Sequence, residues 1–426
     1  MRDGVPPIRN ISSGSLALRH IRQSDGGKMP LLQQMVLQGG RLALKGDMVA
    51  FLRSLPSRLL PPFLPLRFRF RAISAVASLA LFAHAAPARA SHERPWVADT
   101  EGARVVATID LPEARRWKQA LPLKNNQIVL LCDATEQGAG SGNNCLMRLS
   151  ADQTSKPVAS PLTIVWPEGG TEPHVNTSLS PVALAYGTDG TLWLLDGGAD
   201  KTAPRLIRFD PTSGRVLQTQ EIPAEGYTPQ SRFTAFAVHG DMAYLADEGG
   251  IALTVLDLKR HAATRFFAGY PTSRGHVPLT IDGHAVLGKD GHPLTRDLAY
   301  LALETNGQWL YELAPTGPIY RLSADLLNDP SVTPSELMEG VTQWRGTPTV
   351  SGITIDNKAT LYLTDISEGR VLSFDTARHP HILLSSHELV GAGMPQWVPG
   401  DAGHSTTGAG ELYIPVGSRL LRIALP

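Results

Sequence analysis

Four aspartates recur at matched places in this chain. Asp133, Asp196, Asp247 and Asp365 each stand three residues past Leu130, Trp193, Tyr244 and Tyr362, while Ala314 and Val416 stand three past Tyr311 and Tyr413. Carboxylates gathered round a common axis are hard oxygen donors for a cation. A local role needs less. An aspartate that opens a β-turn accepts hydrogen bonds from backbone N–H groups two residues on and is common there for that reason alone. Turn capping is the reading adopted for these four, and no metal or other cofactor is expected.

The remaining chemistry-bearing residues form no established catalytic signature, and the catalytic residues are left unassigned. Most of His174, His239, His276, His284, His292, His379, His381 and His404 fall in expected loops, and His379-Pro-His381 is a weak metal pair. The chain has no G-x-S-x-G elbow for a nucleophilic serine. The Gly-rich stretches GSGNN and EGGT lack the following lysine that a phosphate cradle requires. Cys132 and Cys145, the two cysteines of the chain, flank a Gly-rich segment. They read as a disulfide closing one β-hairpin, with two independent buried thiols as the alternative.

The elements that would position these residues repeat. The unit is an apolar inner strand, a Gly/Asp/Asn turn, a second strand carrying an aromatic, a tight turn and a third strand. It is plainest in PVALAYGTDGTLWLLDGG with RLIRFDP, in FTAFAVHGDMAYLADEGG with ALTVLDL, and in VSGITIDNKATLYLTDISEGRVLSFD. Weaker copies run from Leu298 to Ser323 and from Gly403 to Ile423, and a degenerate one from Asn126 to Ser150. The second-strand marks Leu130, Trp193, Tyr244, Tyr311, Tyr362 and Tyr413 are separated by 63, 51, 67, 51 and 51 residues. Such periods suit four-stranded blades stacked round an axis, and the expected fold is an all-β, six-bladed β-propeller. The last copy ends the chain with about three strands, so RVVATIDL, Arg104 to Leu111, is expected to supply the fourth and close the ring. A β-sandwich with coincidental spacing is the competing arrangement.

These ordered blades resemble the Yellow / major royal jelly protein family. LWLLDGG followed by PRLIRFDPTSGRVLQTQEIP is similar to that family's tryptophan strand and Asp-x-Gly turn, and AYLADEGGIALTVLDLKRHAATRFF to its next blade. TIDGHAVLGKDG resembles its long acidic-Gly insertion, and LALETNGQWLYELAPTGPIYRLSADLLND its fourth blade. The resemblance implies a propeller that binds a small amine-bearing or aromatic molecule at its axial mouth, or an isomerase-like enzyme acting on oxidised catechols. Six-bladed gluconolactonase-like proteins share the architecture, and a metal-dependent lactone hydrolase is the further enzymatic alternative. The metal of such an enzyme needs Glu, Asn and Asp at inner-strand starts, where this chain has residues near Pro181, Arg232 to Thr234, and Ser351.

Blades converge at the axis, where only their innermost strands present side chains to a shared space. The expected ligand site is therefore Arg232, Phe233, Thr234, Tyr300, Ser351 and His404 at inner-strand starts, with His174 and Asn176 from a preceding loop. Phe233 and Tyr300 offer rings for stacking, and Thr234 and Ser351 offer hydroxyls. If Arg232 points inward it repels an ammonium group and favours a neutral phenol or a carboxylate-bearing catechol derivative.

Composition bounds the setting. The chain has 426 residues, 42% hydrophobic and 18% charged, enough to bury a core. Residues 1–90 hold 13 Lys and Arg against 3 Asp and Glu, leaving 26 basic and 36 acidic residues from Ser91 onward. A body that acidic is a poor partner for nucleic acid, whose phosphates need Lys and Arg. The apolar run Ala72 to Ala83, with Arg67, Arg69 and Arg71 before it and Ala88-Arg89-Ala90 after it, has the three parts of a secretory signal. At about 12 residues it is shorter than the roughly 20 that span a bilayer. The expected organisation is a non-structural extension over 1–47, a signal peptide region over 48–90, and the propeller over 91–426 of a secreted or periplasmic protein. No membrane span is expected after cleavage, and the sequence assigns no oligomeric state.

Overall fold

The computed structural model describes residues 97–98, 102–112, 116–124, 126–133, 145–150, 157–167, 179–187, 189–198, 202–400 and 410–426. The expected extension and signal region lie outside the described residues. Ser91–Pro426 forms one compact unit. Among the described residues no helix is long and apolar enough to cross a membrane.

The unit is a six-bladed β-propeller. Two strands, β1 (Val97–Ala98) and β2 (Arg104–Asp110), precede the first complete blade. Blade 1 comprises β3 (Trp117–Pro122), β4 (Gln127–Cys132), β5 (Leu146–Ser150) and β6 (Val158–Pro161). Blade 2 comprises β7 (Pro181–Tyr186), β8 (Leu192–Asp196), β9 (Arg205–Phe209) and β10 (Val216–Glu221). Blade 3 comprises β11 (Phe233–His239), β12 (Met242–Asp247), β13 (Ala252–Asp257) and β14 (Ala262–Phe266). A connecting hairpin, β15 (Thr280–Ile281) and β16 (His284–Ala285), leads into blade 4: β17 (Tyr300–Leu303), β18 (Trp309–Leu313), β19 (Ile319–Ser323) and β20 (Thr342–Arg345). Between β19 and β20 lie the short helices α1 (Ala324–Asn328) and α2 (Pro334–Glu339), the second started by a capping box between Thr333 and Glu336.

Blade 5 comprises β21 (Val350–Ile355), β22 (Leu361–Asp365), β23 (Arg370–Phe374) and β24 (Pro380–Ser385), with β1 added in parallel at its outer edge. Blade 6 takes β25 (Gln396–Val398), β26 (Glu411–Val416) and β27 (Arg419–Ala424) from the C-terminal end. Its outermost strand is β2, antiparallel to β27, with Arg104 opposite Ala424 and Asp110 opposite Arg419. This is the closure expected of RVVATIDL. The inner strand of blade 6 is Gln396–Val398 and not the segment beginning at Gly403, which lies outside the described residues.

Each pair of neighbouring blades encloses its own apolar cluster, six in all. The second strands are buried on both faces, as their near-continuous apolar runs require. One residue past the second-strand aromatic, Leu194, Leu245, Leu363 and Ile414 are all fully buried, but blade 4 has Glu312. Glu312 is 0% exposed, and neither carboxyl oxygen has a hydrogen-bond partner.

Three of the four turn aspartates behave as caps. Asp196 accepts from the N–H groups of Ser180 and Gly198, Asp247 from Arg232 and Gly250, and Asp365 from Ser367. Each also meets an arginine: Asp196 with Arg205, Asp247 with Arg265, and Asp365 with Arg370. In the ladders Asp196 lies opposite Pro181, Asp247 opposite Phe233 and Asp365 opposite Val350, and the residue opposite Trp117 in blade 1 is Cys132. The first-blade mark is therefore Val129 and not Leu130, and Cys132 stands where the other blades have the aspartate. Cys145 stands opposite, in the place of Arg205 and Arg370, and the two are joined as a disulfide with Cα atoms 5.0 Å apart. A covalent bond in blade 1 thus replaces the buried ion pair of blades 2 and 5.

Two predictions follow from these substitutions within the repeat. Burial raises the Glu312 carboxyl to about 8, so the folded state keeps a proton that the unfolded chain loses near 4.5. Its contribution to stability therefore falls as pH rises from about 4.5 to about 8 and is flat above that range. Glu312→Leu should raise the unfolding free energy by on the order of 3 kcal/mol at pH 7 and flatten that slope, as read by denaturant melts across pH. Cys132→Ser with Cys145→Ser should cost about 2–3 kcal/mol, and Cys132→Asp with Cys145→Arg should recover part of the loss in the same melts.

Candidate functional site at the strand-start end of the axis

Most inner strands carry a register break near their first residues. The ladder slips between Trp117 and Gln119, Pro181 and Ala183, Phe233 and Ala235, and Val350 and Ile353. A bulge releases the side chain and carbonyl of the extra residue from the ladder. The residues released are Lys118, Val182, Thr234 and Ser351, and Tyr300 and Gly393 complete the same level in blades 4 and 6.

These residues stitch the blades together. Lys118 Nζ donates to the carbonyl oxygens of Val182 at 2.8 Å and Thr234 at 2.7 Å, bridging three blades. Thr234 Oγ1 donates to Ala299 O, and Ser351 Oγ to Gly393 O. The Val350 N–H donates to Pro315 O, and the Met394 N–H to Lys118 O. Gly393 cannot be enlarged: an added Cβ would lie 2.6 Å from Trp117 O and 2.7 Å from Lys118 O.

A charged group adjoins this ring. Arg296 makes two hydrogen bonds to the buried Glu248, at 2.6 and 2.8 Å, and Arg232, with its side chain 66% exposed, reaches the same carboxylate at 3.0 Å. The Arg296 charge also acts on Tyr300. Burial opposes the charge on Glu248, but the hydrogen bonds and charges of Arg296 and Arg232 hold its carboxyl below the usual range. Burial raises the Tyr300 hydroxyl above its usual value, against the pull of Arg296. Lys118 is lowered to about 8, first by burial; Asp133 and Glu248 act to raise it, and Arg296 adds to the lowering. Its two partners are neutral carbonyls, which accept its protons without neutralising its charge.

The site residues expected from sequence divide accordingly. Thr234, Tyr300 and Ser351 stand in the ring, and Arg232 in the charged group beside it. Phe233 packs among Ala183, Trp193 and Leu195 in the core between blades 2 and 3. His174, Asn176 and His404 lie outside the described residues. Lys118, Glu248 and Arg296 were not anticipated.

A second space lies at the other end of the axis. A cavity of about 970 Å³ is lined by the later residues of the inner strands, among them Ala185, Ala237 and Ala302, with His239, Glu304 and Trp397 also on its wall. Gln119 guards its inner end by pairing with the Leu184 backbone as a strand would, accepting from the N–H and donating to the carbonyl. Arg232, Phe233, Thr234, Tyr300 and Ser351 do not line it. Among the described residues no three His, Cys, Asp or Glu side chains gather as a metal-binding group.

The closed ring is that of a six-bladed propeller, with the interblade hydrogen bonds of Lys118, Thr234 and Ser351 at its strand-start end. Residues 179–383, blades 2 through 5, match the family described as Major royal jelly protein. No curated protein matches the chain. Among solved structures, a gluconolactonase from Xanthomonas campestris is 13% identical, with 78% of this chain and 99% of that chain covered, at a TM-score of 0.44. A virginiamycin B lyase from Staphylococcus aureus is 9% identical, with 75% and 99% covered, at a TM-score of 0.42.

Removing the carboxylate that joins Arg232 and Arg296 leaves two guanidiniums face to face. Glu248→Ala should cost about 2–3 kcal/mol in denaturant melts near neutral pH. Because the folded carboxyl lies below its ordinary 4.5, this contribution is fully present above that pH and is lost as pH falls through the folded value. The gap between variant and parent should therefore narrow in acid.

Proposed function

We propose that this protein is exported and binds a small molecule at the strand-start mouth of its axis. The observation that carries the reading is the convergence of Lys118, Tyr300, Arg232, Arg296 and Glu248 beside one ring of inner-strand residues. Perturbed ionisable groups gathered at a mouth are the physical mark of a binding or catalytic site. Export rests on the signal-like segment ending at Ala90 and accords with a disulfide, which persists in oxidising compartments.

The named groups set the ligand class. Three cations face Glu248 and Asp133 here, and this excess favours a phenol or a carboxylate-bearing catechol derivative over a simple amine. The same groups suit an isomerase-like alternative, because an amine lowered to about 8 and a protonated tyrosine can move protons on a bound substrate. A metal-dependent lactonase is less well supported: Lys118, Val182, Thr234, Tyr300, Ser351 and Gly393 bring no carboxylate to the ring positions, where such a metal needs oxygen ligands. The 970 Å³ cavity favours a second reading, in which the ligand occupies the opposite end.

A thermal-shift screen with carboxylated catechols, phenols, catecholamines, lactones, calcium and zinc separates these readings, since a ligand of the native state raises Tm. The expected result is a shift with a carboxylated catechol or a phenol, weakened at least about tenfold in Kd by Lys118→Met or Tyr300→Phe and unchanged by Ala237→Phe. Binding lost in Ala237→Phe but intact in Lys118→Met would move the site to the other end.

A further inference from the structure

The ring that closes the axis is held by an amine that, among the described residues, meets two carbonyl oxygens and no carboxylate. Lys118 lies on β3, is partly exposed, and has as hydrogen-bond acceptors two backbone oxygens from β7 and β11. A structural cross-link of this kind can be made by a hydroxyl or an amide, as Thr234, Ser351 and Gln119 make theirs. An ammonium held this way loses water without gaining an opposite charge in contact, and Arg296 adds a like charge nearby. Desolvation and a neighbouring cation are the two conditions that turn a lysine into a nucleophile.

We infer that Lys118 is a reactive amine that condenses reversibly with a small aldehyde or ketone carrying an acidic group. The inference rests on the ligand site proposed at the strand-start mouth and names a chemistry for it. Neutral Lys118 Nζ attacks the carbonyl carbon, forming a C–N bond while the C=O electron pair becomes a hydroxyl on taking up a proton. That hydroxyl then leaves as water with a second proton, and the nitrogen gives up both of its protons, one before and one after water departs, so the balance is one carbonyl compound and one amine to one imine and one water. No oxidant or reductant is involved, and hydrolysis returns both partners. Tyr300, at the same level of the ring and with a hydroxyl that holds its proton at neutral pH, serves as proton carrier. The exposed Arg232 guanidinium offers the acidic group its counter-charge. Burial lowers the amine to about 8, so a usable neutral fraction exists close to neutral pH.

The test is reductive trapping on the full-length exported protein, with pyruvate as the probe and sodium borohydride to fix the imine, followed by intact mass and peptide mapping. Lys118 should be the principal labelled residue, with labelling half-maximal near pH 8. Labelling at that site should disappear in Lys118→Arg, whose melting curve reports whether the fold survives. Label spread over the exposed lysines with Lys118 unmodified, or no label at any lysine, overturns the inference. If a phenolic ligand still raises Tm without borohydride in the same preparation, only the covalent step fails. If that shift is absent too, the ligand site fails with it.

Discussion

Closure of the ring is the constraint on which the rest of this molecule depends. Each blade is buried on both faces only because it has a neighbour on each side, and the six apolar clusters of the described residues lie between blades. An open arc would expose two of these faces to water. The chain closes the arc by giving blade 6 its outer strand from the N-terminal side, so β2 and β27 bring the two ends of the propeller into one sheet. Blade 5 receives a small parallel addition from β1 on the way.

Closure creates the axis, and the axis creates a polar problem. Inner strands converge too closely for regular ladders to continue to their first residues, and the bulges there free carbonyls that need donors. Lys118, Thr234 and Ser351 supply them across blade boundaries. Lys118 does so at an electrostatic cost, because its partners carry no charge. The same arrangement that seals the ring therefore leaves a lowered amine beside Tyr300 and the Arg296–Glu248 pair, a combination of shape and chemistry that structural sealing alone does not require.

Much of the fold was legible because the second strands repeat at matching intervals and carry aromatics at Trp193, Tyr244, Tyr311, Tyr362 and Tyr413. Register failed where the repeat substitutes one stabilising device for another: with Cys132 in the aspartate's place, Asp133 drew the alignment one residue too far. The inner strand of blade 6 was missed because Gln396–Val398 is short and precedes a long connection. Three ring residues, Thr234, Tyr300 and Ser351, were reachable by reasoning from inner-strand starts. Phe233 shows the limit of that reasoning, since its neighbour across the bulge faces the axis while Phe233 faces the core between blades 2 and 3. Lys118 belongs to the inner strand of the most degenerate copy, where no pattern announced a strand. Glu248 and Arg296 are 48 positions apart and meet through the connection between blades 3 and 4, a proximity that no local spacing signals.

The central claim is that ligand is held at the strand-start end of the axis. A crystal structure of the protein soaked with whichever carboxylated catechol or phenol raises its melting temperature most tests this directly. The account predicts ligand density beside Lys118 and Tyr300, with an acidic or phenolic oxygen toward Arg232. Density confined to the cavity lined by Ala237, Ala302 and Glu304, with the strand-start mouth empty, would contradict it.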